Sequence, residues 1–67
     1  MRTIVILIFL FANIFPKDVD QNFNEANNYY NNSRFLESIK IYESILTEGW
    51  ESSNLYYNLG NSYFRQN

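Results

Sequence analysis

Asn54-Leu-Tyr-Tyr-Asn-Leu-Gly-Asn-Ser-Tyr-Phe-Arg-Gln-Asn67 decides how this chain is read, because a weaker copy lies 34 positions earlier. The shift pairs Phe23 with Tyr57, Ala26 with Gly60, Asn27 with Asn61, Tyr29 with Tyr63 and Tyr30 with Phe64. A period of this length marks helix-turn-helix units that bury their apolar faces by stacking on neighbours. Such stacking builds a surface rather than a catalytic cleft, so the first expectation is binding.

Working outward, Leu55, Tyr56, Leu59, Tyr63 and Phe64 recur at helical spacing behind Ser52 or Ser53, either of which can cap the helix. Gly60 stands in the middle. A mid-helix glycine costs roughly 1 kcal/mol against alanine, so close approach of a neighbouring helix is expected there. One repeat earlier, Phe23, Ala26, Tyr29 and Tyr30 form the same pattern behind Asp18 or Asp20. Asn31, Asn32, Ser33 and Arg34 supply turn chemistry, with asparagine tolerating left-handed dihedrals. Phe35, Leu36, Ile39, Tyr42, Ile45 and Leu46 then fall at steps of one, three and four, a broad apolar face for a second helix antiparallel to the first. Gly49 is placed to close it in the left-handed conformation. Trp50, in the following loop, is expected to fill the gap between hairpins rather than to meet a ligand, given the area an indole buries.

Upstream, a basic start at Arg2 precedes an apolar run over residues 4–15, interrupted by Asn13 and followed by Pro16 and Lys17. Twelve residues fall short of a roughly 30 Å hydrocarbon core but fit a secretory signal. No small-x-small cleavage site follows, so a retained membrane anchor stays open beside cleavage, as does a buried core helix. In the first two cases Arg2 stays cytoplasmic and the rest is delivered across the membrane. Pro16 disfavours helix at Phe15 and sets the boundary between residues 1–16 and the repeat region.

Sixty-seven residues allow at most one small domain. The net charge of −2 offers no electrostatic footprint for nucleic acid. Without cysteine or histidine there is no disulfide framework, no thiolate or imidazole metal site and no usual general base. No catalytic, cofactor-binding or metal-binding residues are expected, and an enzyme is not. Glu37, Glu43, Glu48 and Glu51 are read as solvated faces, with Glu37 and Lys40 as an exposed pair.

These residues resemble the tetratricopeptide repeat (TPR). Its small first-helix residue is matched by Ala26 and Gly60, its aromatic three later by Tyr29 and Tyr63, and its second-helix positions by Phe35, Tyr42 and Ile45. Departures are Asn22, Glu25, Ser38 in place of the usual alanine, and Trp50 where a proline normally ends the repeat. The resemblance implies an all-α fold: one TPR hairpin over residues 19–52 and the first helix of a second over 53–67, after the amino-terminal signal or anchor helix. The run from Tyr42 to Tyr63 further resembles the exported repeat proteins of bacterial aerotolerance operons, which implies a place on the periplasmic side of the cytoplasmic membrane.

In this family the first helix of each hairpin lines the concave, partner-binding surface. That places Phe23, Asn24, Asn27, Tyr30 and Asn31, then Tyr57, Asn58, Asn61, Phe64 and Arg65, on the face for a protein or peptide. Asn24, Asn27, Tyr30, Tyr57, Asn58, Asn61 and Arg65 are the candidate contacts, although rings at helical spacing are by default core. A carboxylate clamp known in the family has Asn27 and Asn58 at two positions but Phe23 where a lysine is needed, so it is incomplete. The second repeat stops before its partner helix. A fragment of a longer protein, or self-association through the bare face, is therefore expected. The competing expectation is a small membrane-associated peptide, or a non-functional fragment, with no partner.

Overall fold

The computed structural model describes residues 18–66. They form three helices and no strand: α1 (Val19–Asn31), α2 (Phe35–Thr47) and α3 (Ser53–Gln66). The expected signal or anchor over residues 1–16 lies outside the described residues, and among these no helix is long and apolar enough to cross a membrane.

Helix ends are set by local chemistry. Asp18, not Asp20, caps α1: its carboxylate accepts from the Gln21 amide at 2.8 Å, and the Gln21 side chain accepts the Asp18 amide in return. Ser52 does the same for α3, its Oγ accepting from the Leu55 amide at 3.1 Å. The two caps stand 34 residues apart, as do the first residues of the two helices. The sequence period is thus a structural one.

Both helices that end in a turn close the same way. After α2, the Gly49 amide donates to the Leu46 carbonyl and the Trp50 amide to that of Ile45, around a glycine at φ 98°. After α1, the Ser33 amide donates to Tyr30 and the Arg34 amide to Tyr29. The left-handed residue there is Ser33, at φ 62°, rather than Asn31 or Asn32. Position in the motif decides it: the residue one past the cap must turn left-handed, and Asn32 is itself the cap.

α2 runs antiparallel to both neighbours. Tyr30 meets Phe35 edge-on at 5.8 Å and Phe23 meets Tyr42 at 6.0 Å, so numbers fall on one helix as they rise on the other. Against α3, Ser38 faces Ser62, and Arg65 lies over the Phe35 ring. α1 and α3 consequently run parallel, side by side on α2, with the thinner contact between them. The core is Ala26 from α1, Ile39, Tyr42 and Ile45 from α2, and Leu55 and Leu59 from α3. Each large aliphatic buried there contributes about 1.5–3 kcal/mol.

The periodicity over-assigned this core. Leu36 and Tyr56 share the expected faces but are exposed; Tyr63 and Phe64, on the face expected to be bare, are exposed as well, Phe64 by 81%. A helix between two neighbours can be covered on two sides, whereas α3 at the edge of the packed set is covered on one. Gly60 is the second correction: a Cβ built on it would meet nothing within 4 Å. Close approach is carried instead by Ser38 and Ser62, both fully buried, with hydroxyl oxygens 3.0 Å apart. Ser38 is the small residue that lets α2 meet α3.

Candidate functional site

Helical register brings Asn27 and Tyr30 of α1, one turn apart, to the edge facing α3, and does the same for Asn58 and Asn61. Because α1 and α3 are parallel, the residues meet as two rungs. Asn58 Nδ2 donates to Asn27 Oδ1 at 3.1 Å, and Asn61 Nδ2 donates to the Tyr30 hydroxyl at 3.1 Å. Both rungs span 31 residues. That is the repeat of 34 less one helical step of three, the offset that side-by-side packing imposes.

Tyr42 closes the first rung from beneath. Its hydroxyl donates to Asn27 Oδ1 at 2.5 Å and accepts from Asn58 Nδ2 at 3.1 Å. Burial raises the pKa of this phenol, opposed by the hydrogen bond from Asn58 and assisted by the neighbouring Tyr30. One phenol therefore ties all three helices together. The sequence reading placed Tyr42 in the core and missed this role; the heteroatom of a tyrosine at a core position was the available signal, since a buried hydroxyl requires a partner.

Of the expected contacts, Asn27, Tyr30, Asn58 and Asn61 are brought together. Asn24 is exposed on α1 and Tyr57 is 71% exposed on α3, neither joined to the seam. Arg65 stacks over Phe35 with its guanidinium carbon 4.8 Å from the ring centre, so its charge sits at the end of the seam. The seam retains unused capacity. Among the described residues, Asn27 Nδ2, Asn58 Oδ1 and Asn61 Oδ1 make no hydrogen bond, which leaves a donor and two acceptors along the α1–α3 edge.

Two grooves lie outside this seam and share no residue with it. One of about 240 Å³ is lined by Val19, Asp20, Phe23, Ile45, Trp50, Glu51, Ser52 and Leu55. The other, of about 410 Å³, is lined by Glu25, Asn28, Tyr29, Asn32 and Arg34. Trp50 is 57% exposed and forms a wall of the first, so it does not fill a gap between hairpins as expected. The closing turn after α2 puts the indole at the rim, next to Ile45 beneath it.

Glu37, Glu43, Glu48 and Glu51 do not converge on one site. Glu43 accepts from the Tyr63 hydroxyl and Glu51 from that of Tyr56. Glu37 makes its close ion pair with Arg34 at 2.7 Å, and Lys40 acts on it more weakly, through charge alone. The hydrogen bond with Arg34 lowers the Glu37 pKa and raises that of Arg34. Among the described residues no group of three or more carboxylates is placed to hold a metal ion. Compared with family models, with curated proteins and with solved structures, the chain finds no match.

Proposed function

We propose that this chain is a helical-repeat module of TPR type that binds an extended segment of a protein partner along the α1–α3 edge, exported across or anchored in a bacterial cytoplasmic membrane by residues 1–16. The observation that carries the binding reading is the amide seam. Two parallel helices present Asn27 and Tyr30, and Asn58 and Asn61, at one-turn spacing, with a donor at Asn27 and acceptors at Asn58 and Asn61 left over. Extended peptide backbone offers the complementary alternation of N–H and C=O groups. The 34-residue spacing of the caps supports the repeat assignment, and the basic start with its apolar run supports export.

Selection of displayed random peptides against the immobilised chain tests the reading. Recovered peptides should bind the unaltered protein and lose about tenfold in affinity to Asn58→Ala or Asn61→Ala, roughly one lost hydrogen bond each. Helical circular dichroism retained by Asn61→Ala separates lost contact from lost fold. Selected peptides indifferent to both substitutions would refute the proposed edge.

A further inference from the structure

The three helices distribute charge unevenly along the molecule. At one end, α1 begins, α2 ends and α3 begins, and the carboxylates of Asp18, Asp20, Glu48 and Glu51 gather there. Of the described cations, Arg34 and Arg65 belong to the opposite end around Phe35, and Lys40 lies within α2. The groove beside Trp50 opens at the acidic end. Its floor is apolar, from Val19, Phe23, Ile45 and Leu55, its rim carries Asp20 and Glu51, and no described cation lines it.

The indole sharpens the chemistry. The two described arginines each lie over a ring, Arg34 over Tyr29 at 5.4 Å and Arg65 over Phe35 at 4.8 Å. Trp50 offers the best cation-binding face of the three residue types, yet among the described residues no cation covers it. Half its surface is open to solvent. A groove of about 240 Å³ is smaller than a typical drug-sized site and suits one or two side chains.

We propose that this groove docks a peptide segment of a partner protein in which an arginine or lysine stands beside a bulky apolar residue. The apolar side chain enters between Phe23, Ile45 and Leu55. The cation lies across Trp50 between the carboxylates of Asp20 and Glu51. Because the groove shares no residue with the asparagine seam, the two surfaces stand or fall separately.

Trp50 is the only tryptophan, so its emission reads the groove directly. The full chain is titrated with the capped peptide acetyl-Gly-Leu-Arg-Leu-Gly-amide, and with the same peptide carrying uncharged citrulline in place of arginine. Saturable quenching or a blue shift is expected with arginine, and binding weaker by about fivefold with citrulline. The double variant Asp20→Asn, Glu51→Gln, helical by circular dichroism, should lose about threefold or more for the arginine peptide and nothing for the citrulline one. Equal binding of the two peptides, or no emission change with either, overturns the proposal. So does Trp50 emission that is already blue-shifted and shielded from iodide before peptide is added. That result would mean the groove is occupied by residues 1–17 of the same chain or by a second copy.

Discussion

At the residue scale, Tyr42 and Ser38 show how one heteroatom alters the meaning of a core position. Removing the Tyr42 hydroxyl takes away its bonds to Asn27 and Asn58 and leaves only the direct bond between those two. Tyr42→Phe should therefore destabilise the fold by about 1–2 kcal/mol, measured as a shift in the urea unfolding midpoint. The same phenol makes stability pH-dependent. Its pKa is raised by folding, so the stability it contributes is fully present below the ordinary tyrosine value near ~10 and is lost as pH rises through the higher folded value. An alkaline unfolding step should appear in the unaltered chain and shrink in Tyr42→Phe. At Ser38 the hydroxyls of two serines serve three contacts, to the Phe35 carbonyl, to the Asn58 carbonyl and to one another. Two hydrogens cannot fill three bonds at once, so one of the three contacts lacks a hydrogen in any single arrangement, while the small side chains keep the helices close.

At the scale of the element, the helices are determined by their ends as much as by their faces. Asp18 and Ser52 each satisfy an amide in the first turn, and Ser33 and Gly49 each turn the chain left-handed after the last. Gly60 is the exception, a glycine without a steric reason. Its Cβ position is open space in an exposed stretch of α3. Gly60→Ala should accordingly stabilise the chain by about 0.5–1 kcal/mol through helix propensity alone, raising the thermal midpoint. A lowered midpoint would mean that another helix approaches this face in solution.

At the scale of the whole molecule, α2 is the shared element, contributing Phe35, Ser38, Ile39, Tyr42 and Ile45 to the interior. α3 is held on one side only, with Tyr63 and Phe64 exposed. Native-state hydrogen exchange should therefore find α2 amides best protected and the last turn of α3 exchanging fastest, in keeping with graded local opening. Uniform protection across the three helices would contradict this arrangement. Charge is likewise a property of the assembled molecule. Asp18 and Asp20 lie far in sequence from Glu48 and Glu51, and only antiparallel packing brings the two pairs to one end.

The sequence by itself determined the three helices and narrowed their caps and turns to a few residues, because those depend on neighbours within four residues: Asp18 with Gln21, Ser52 with Leu55, Gly49 with Leu46. It also carried the 34-residue period and, through it, the asparagines at Asn27, Asn58 and Asn61. Only the tertiary structure decided which of several apolar residues on a face are covered, since periodicity records a direction and not the number of neighbours in that direction. It decided as well that Asn27 meets Asn58 rather than its periodic counterpart Asn61, that Glu37 pairs with Arg34, and that Trp50 stands open. Each of these depends on the offset and spacing between helices, which side chains as small as Ser38 and Ser62 set and which no local pattern encodes.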